Sequence, residues 1–251
     1  MIIKITNQRV IKIVSILFLL IYSCEDKLDE TIDFERDNIF DQNIFTQNII
    51  LDENNITIKC SEAEIGETSI VQGKEYTVVN EAQLREMVDN DEDVSCVCTS
   101  KITDMNSLFE NKLKFNQDIG SWDTSNVNNM ENMFSLAESF NQDIGKWDTS
   151  NVKSMAQMFS NTPFNKDIGD WETTNVATMS GMFYSAYTFN QPIGNWETSN
   201  VTNMGFMFSF TLFNQDLSTW CVKRISSEPY NFSFLSSLSE SNKPIWGTCQ
   251  D

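Results

Sequence analysis

Apolar and polar positions repeat along the chain between residues 99 and 220. Phe-Asn-x-x-Ile-x-x-Trp occurs at 115–122, 140–147, 164–171 and 189–196, and again at 213–220 with Leu217 in place of Ile. Between each Trp and the next Phe runs Asp/Glu-Thr-Ser/Thr-Asn-Val-x-x-Met-x-x-Met-Phe. It is complete at 123–134, 148–159, 172–183 and 197–208, with a degenerate leading copy at 99–109. Successive Trp residues are 25, 24, 25 and 24 apart, yet Phe115 to Phe134 and its three equivalents always span 19 residues. The slack is confined to the link from Phe134 to Phe140 and its equivalents, where Pro163 lies. A fixed unit with an elastic joint suits stacked repeats. Core residues must sit at matching heights, while surface loops absorb an extra residue.

Within one copy, Val152, Met155, Met158 and Phe159 fall at i, i+3, i+6 and i+7, which predicts one to two helical turns over 152–160. Ser150 and Asn151 are the N-cap candidates. Ile144, Trp147 and Thr149 follow the L-x-x-L-x-L rhythm of a leucine-rich-repeat strand, which predicts a short parallel strand at 147–149. The expected fold is an α/β repeat solenoid of about five leucine-rich-repeat-like units over 99–220. Strands stacked at ~4.8 Å give such a core a length of about 20–25 Å.

The flanks read as caps, which a solenoid needs at its apolar ends. Residues 69–79 alternate as a hairpin with Gly73 at the turn, and Asn80 is placed to cap a helix over 81–88. Residues 55–98 therefore form a small β+α N-terminal cap, and 221–251, after the pattern stops, the C-terminal cap. Residues 24–54, acidic and Asn-rich, read as a tether.

Residues 1–23 carry Lys4, Arg9 and Lys12 and no acid, followed by an apolar run too short for a comfortable membrane span of ~20 residues. This reads as a secretory signal, for a lipoprotein or, as the alternative, a plain signal peptide or signal anchor. Ile21-Tyr22-Ser23-Cys24 resembles a bacterial lipobox, with Tyr22 bulky for that pattern. The resemblance implies that Cys24 is diacylated and begins the mature chain. The acids that follow, Glu25-Asp26-Lys27-Leu28-Asp29-Glu30, resemble the surface-export tags of Bacteroidetes lipoproteins; a solvated tether would carry the same charges. The expected address is the outer membrane, at the cell surface, held by lipid.

The repeat residues resemble those of BspA-like leucine-rich-repeat surface proteins, whose units carry W-[DN]-T-S-N-V-x-x-M-x-x-M-F and F-N-x-[DP]-[IL]. The resemblance covers roughly half the chain. It implies a right-handed solenoid and a role in surface attachment or in contact with host or matrix. It implies no catalytic residue.

Composition narrows the chemistry. There are 36 Asp+Glu against 17 Lys+Arg, a formal charge of −19 that becomes −22 once Lys4, Arg9 and Lys12 leave with the signal. Nucleic acid is an unsuitable partner for such a chain. The absence of His removes the commonest general base and every His-containing zinc site. Carboxylates remain. Asp118, Asp143, Asp167 and Asp216 form one column and Asp123, Asp148, Glu172 and Glu197 another, broken at Pro192 and Cys221. Calcium is conceivable there, but solvated turn residues explain both columns, and no acid is singled out for catalysis. The Trp ladder (Trp122, Trp147, Trp171, Trp196, Trp220) reads as core filling, with an exposed sugar-stacking platform as the alternative. The Asn ladder (Asn116, Asn141, Asn165, Asn190, Asn214) reads as structural, satisfying backbone groups between turns. Cysteines of an exported chain imply disulfides. Cys221–Cys249 would staple the C-terminal cap. Cys60 would pair with Cys98, leaving Cys96 spare, or with Cys96 instead. The expected function is a non-enzymatic, cofactor-free surface lipoprotein that binds a protein partner through its solenoid face. The alternatives are glycan binding and a purely structural spacer.

Overall fold

A computed structural model of the chain describes residues 47–249. The signal segment, Cys24 and the first part of the tether lie outside the described residues. The N-terminal cap begins earlier than the sequence suggested. Ile49 is fully buried, and β1 (Ile50–Leu51) pairs antiparallel with β2 (Ile58–Lys59). Residues 47–54 thus belong to the cap, because the apolar run at 49–51 has a core to enter.

In β3 (Thr68–Val71) and β4 (Lys74–Val78) the chain makes an antiparallel hairpin. Its two loop residues, Gln72 and Gly73, both have positive φ (51° and 79°), the backbone of a type I′ turn whose twist matches the strands. Asn80 then caps α1 (Glu81–Asp89). Its side chain accepts the Gln83 N–H and the Gln83 side chain accepts the Asn80 N–H, a reciprocal capping box. Leu84 and Val88 are the buried face of α1, and β5 (Val97–Cys98) lies parallel to β4.

From residue 103 the copies lie one on the next. Asp104, Asn129, Ser154, Thr178 and Asn203 form one unbroken parallel bridge ladder. The amides of Met130, Asn132, Phe134 and Leu136 donate to the carbonyls of Ser154, Ala156, Met158 and Ser160 at 2.9–3.0 Å, and the same register joins every other adjacent pair of copies from 105–111 to 203–209.

Two local expectations fail here. Pairing falls at Ser154, not at 147–149, and 152–160 is not helical. Gln157 (φ 56°) and Asn161 (φ 57°) occupy the left-handed region, which an α-helix of L-residues excludes. The i, i+3 recurrence comes instead from turns. Met158 N–H bonds to Met155 C=O, and in the preceding copy Met133 bonds to Met130 and Ala137 to Phe134. A helix would use its amides internally; here the alternate amides of Met155, Gln157, Phe159 and Asn161 donate to the neighbouring copy, and those of Met158 and Ser160 close local turns.

The stack also runs on past Trp220. Phe206, Phe208 and Phe210 donate to the carbonyls of Tyr230, Phe232 and Phe234, and Asn231 and Leu235 repeat the paired positive φ of each earlier copy. Residues 226–238 are therefore a sixth layer, unrecognised because Phe232 and Ser233 stand where other copies have Met-Phe. Around it, Trp246 packs on Phe232 and Cys249 is bonded to Cys221.

One apolar core runs from Val79 to Leu238, and a second, smaller one surrounds the Cys60–Cys98 disulfide. Buried Phe residues stack in register: Phe109, Phe134, Phe159, Phe183 and Phe208 lie 5.5–5.7 Å apart. At the N-terminal end of the stack the Arg85 guanidinium donates to the carbonyls of Asp104 and Asn106 at 3.1 and 3.0 Å. Those are the acceptors that a preceding copy would otherwise fill. No helix among the described residues is long and apolar enough to cross a membrane.

Candidate binding face

The ladders read from the sequence are internal. All five repeat Trp residues are at most 4% exposed, and the pairs Trp122–Trp147, Trp171–Trp196 and Trp196–Trp220 are parallel at 6.3–6.4 Å. Each indole N–H reaches back one copy to a carbonyl: Val94, Ile119, Ile144, Ile168 and Ile193 in turn. With rings and N–H groups so engaged, the Trp ladder offers no platform for sugars. The side-chain oxygens of Asn116, Asn141, Asn165, Asn190 and Asn214 accept the amides of Asn141, Asn165, Asn190, Asn214 and Ser239 at 2.9–3.0 Å. These Asn residues are half-buried or exposed rather than sealed in the core. A third ladder lies beside them. Thr99, Thr124, Thr149, Thr173 and Thr198, all buried, donate to the copy ahead at 2.8–2.9 Å. Its signal was the invariant Thr beside the Asp/Glu column.

Both acidic columns are turn residues. Each acid accepts the amide two residues ahead in its own copy, as Gly120 on Asp118 and Ser150 on Asp148. Hydrogen bonds from the Thr174 side chain and amide hold Glu172 below its ordinary carboxylate range, and the Ser218 amide does the same for Asp216. Among the described residues no three Asp, Glu or Cys side chains gather to hold a metal. Cys60 bonds to Cys98 and Cys221 to Cys249; Cys96, expected to be spare, is engaged as well, and no described cysteine is a free thiol. A groove between β4 and α1 is lined by Thr77, Val79, Gln83, Glu86, Met87 and Glu92.

The outer face of the last three layers differs from the rest. Tyr230, Phe206, Tyr184, Phe210 and Phe234 form a chain of edge-to-face ring contacts at 5.2–6.4 Å. Tyr230 is 74% exposed, Phe234 48% and Phe206 37%, with Leu235 beside them at 68%. Phe206 and Phe210 have φ of 60° and 59°. The same two positions carry Ser107 and Asn111, Asn132 and Leu136, Gln157 and Asn161, then Gly181 and Ser185, all at 54–62°. A bulky side chain in that region costs about 1–2 kcal/mol. The stack therefore does not require aromatic residues there, and Phe206 stays 37% exposed while Phe210 is half-buried. The signal lay in plain view as aromatic residues off the ladder register, in Met204-Gly205-Phe206-Met207-Phe208-Ser209-Phe210.

No curated protein and no solved structure matches the chain. A family described as "Mycoplasma protein of unknown function, DUF285" matches it twice in succession, at residues 80–163 and 160–246, and so takes in α1, all six layers and Trp246. Two consecutive matches over more than half of the chain make this protein a member of the DUF285 family.

Proposed function

We propose that the protein is a surface-anchored, non-catalytic binding module that recognises a protein partner through the aromatic face of its last three layers. The observation that carries this reading is the pair Phe206 and Phe210. Two exposed or half-exposed rings sit at strained backbone positions that the other layers give chiefly to Ser, Asn, Gln or Gly. Exposed aromatic clusters of this kind are what protein interfaces enrich. The stack itself is a leucine-rich-repeat-like solenoid in this reading, which fits the BspA-like signature of the repeats. Lipidation at Cys24 supplies the anchor, since a processed chain of charge −22 (−19 less Lys4, Arg9 and Lys12) is repelled by an anionic membrane surface. Replacing Cys24 by Ala then releases the protein from the membrane fraction.

Full-length protein screened against arrays of purified host and matrix proteins and of glycans tests the recognition claim. The expected result is saturable binding to a protein, weakened at least about tenfold by Phe206→Gly combined with Phe210→Ser, a loss of ~1.4 kcal/mol. These are the residues of Gly181 and Ser185, so the fold already accepts them. Glycan binding alone, or protein binding indifferent to the double variant, overturns the reading.

A further inference from the structure

We infer that the C-terminal end of the stack is an open docking edge, which an extended segment of a partner polypeptide joins as a seventh layer. The inference rests on the protein-binding reading above and deepens it, because Tyr230, Phe234 and Leu235 flank this edge.

Each layer has a direction. In the second, the carbonyls of Glu131, Met133 and Ser135 accept from Ser107, Phe109 and Asn111 behind, while the amides of Asn132, Phe134 and Leu136 donate to Ala156, Met158 and Ser160 ahead. Carbonyls thus point to the N-terminal end and N–H groups to the C-terminal end, with the peptide dipoles of the layers aligned. At the N-terminal end the acceptors of Asp104 and Asn106 are closed by the Arg85 cation. At the C-terminal end the equivalent donors are the amides of Asn231, Ser233 and Leu235, which make no hydrogen bond with the described residues. Asn231 and Ser233 are half-buried and Leu235 is exposed. The intervening amides of Phe232, Phe234 and Ser236 are used in local turns.

A row of unpaired donors on alternate residues, rimmed by apolar side chains, is a site for strand addition. The molecule shows five times over what fills such a row: a backbone whose carbonyls recur at every second residue. A second copy does not supply one. Its N-terminal end is covered by α1, whose Leu84 and Val88 join the core and whose Arg85 takes the Asp104 and Asn106 carbonyls, and its C-terminal end presents donors against donors. An acidic segment is disfavoured by the charge of −19. The occupant is therefore an extended, apolar segment of another protein, without net negative charge.

The test uses the full chain and a synthetic peptide of residues 200–212, which in the stack offers the carbonyls of Asn203, Gly205, Met207 and Ser209. Residue-resolved hydrogen exchange is read with and without peptide. Without it, the amides of 231, 233 and 235 exchange at least about tenfold faster than those of 206, 208 and 210. Saturating peptide slows those three amides by about tenfold or more, and a scrambled peptide does not. Ser233→Pro, which removes the central donor, weakens binding at least about tenfold, while Ser233→Ala leaves it unchanged. The exchange measurement on unaltered protein stands even if the proline variant fails to fold. Protection of the three amides in the free chain means that the protein covers its own edge and overturns the inference. Peptide binding without their protection, or no peptide binding, overturns it too. If array binding is lost on Phe206→Gly/Phe210→Ser but the three amides stay unprotected by peptide, the aromatic face stands and only the edge falls.

Discussion

Gly145 tests how tightly the layers are stacked. In an ordinary surface turn with negative φ, Gly→Ala stabilises by about 0.4–1 kcal/mol, because it narrows the unfolded ensemble. At Gly145 an added Cβ would lie 2.6 Å from the carbonyl oxygen of Asp167 in the next copy, about 0.8 Å inside the 3.4 Å at which ordinary contact begins. The obstacle is backbone and cannot rotate away. Opening the layers instead stretches the Trp171 Nε1 bond to Ile144, already 3.2 Å, and the Asn165 amide bond to Asn141 at 2.9 Å. Overpacking of this kind costs about 1–3 kcal/mol, so the entropic gain is cancelled or outweighed and the net loss is at most about 2.6 kcal/mol. A chain of this size moves by about 2–4 °C per kcal/mol, so Tm falls by up to ~10 °C and does not rise. Gly205 is the control within the same stack. There a Cβ meets nothing closer than the Asn203 side chain at 3.4 Å, and φ is not positive. Gly205→Ala raises Tm by ~1–3 °C. Thermal melts of both variants decide the matter. Equal shifts of the same sign would refute the close interlayer contact.

Three further expectations follow from other contacts. Trp147→Ala removes a buried indole and its bond to Ile119 and costs about 3–5 kcal/mol, whereas Trp147→Phe keeps most of the packing and costs about 1–3 kcal/mol for the unpaired carbonyl; urea unfolding separates them, and equal costs would show the N–H to be irrelevant. Arg85→Met uncaps the N-terminal carbonyls of the stack; with a side chain one-third exposed (34%), the loss is about 1–2 kcal/mol, and an unchanged urea midpoint would remove Arg85 from the cap. Asp216 and Glu172 are held below their ordinary values by hydrogen bonds, so their stabilisation is present above the unfolded pKa near ~4 and is lost as pH falls through the lowered folded value. Asp216→Asn keeps an acceptor for Ser218 and should reduce the drop in Tm between neutral and acid pH; an unaltered drop would mean that Asp216 does not contribute.

Repetition was legible because each copy solves the same packing problem with the same residues. Trp147, Met155, Met158 and Phe159 recur for reasons of volume and register, and Asn80 with Gln83 marks a helix start by local chemistry alone. The conformation between Val152 and Ser160 was not legible. The spacing i, i+3, i+6, i+7 suits a helix and suits consecutive turns equally well in side-chain terms. What separates them is φ at Gln157 and Asn161, and neither Gln nor Asn announces a left-handed backbone as Gly does. Gly181, at the position equivalent to Gln157, was the one visible hint. The sixth layer escaped for the complementary reason. Its backbone repeats the others while its side chains, Phe232 and Ser233, depart from Met-Phe, and Phe232 packs on Trp246.

That separation of backbone from side chain is what points to function. If every layer must have a left-handed residue at two places, the stack is best served by Gly or Asn there; four of the eight earlier positions comply, and three of the rest are Ser or Gln. Phe206 and Phe210 contradict local preference, solvent preference and the habit of the repeat together. A ladder residue explains itself by the copy above and below it; Phe206 has no counterpart ring in the copy behind, where Gly181 sits, and turns to Tyr184 and Tyr230 instead. Left-handed backbone under partly exposed rings, beside a donor row that no described residue meets, is not explained by the ladders of the stack. Both features become useful when a second polypeptide lies along them, with its side chains against the rings and its carbonyls on the row.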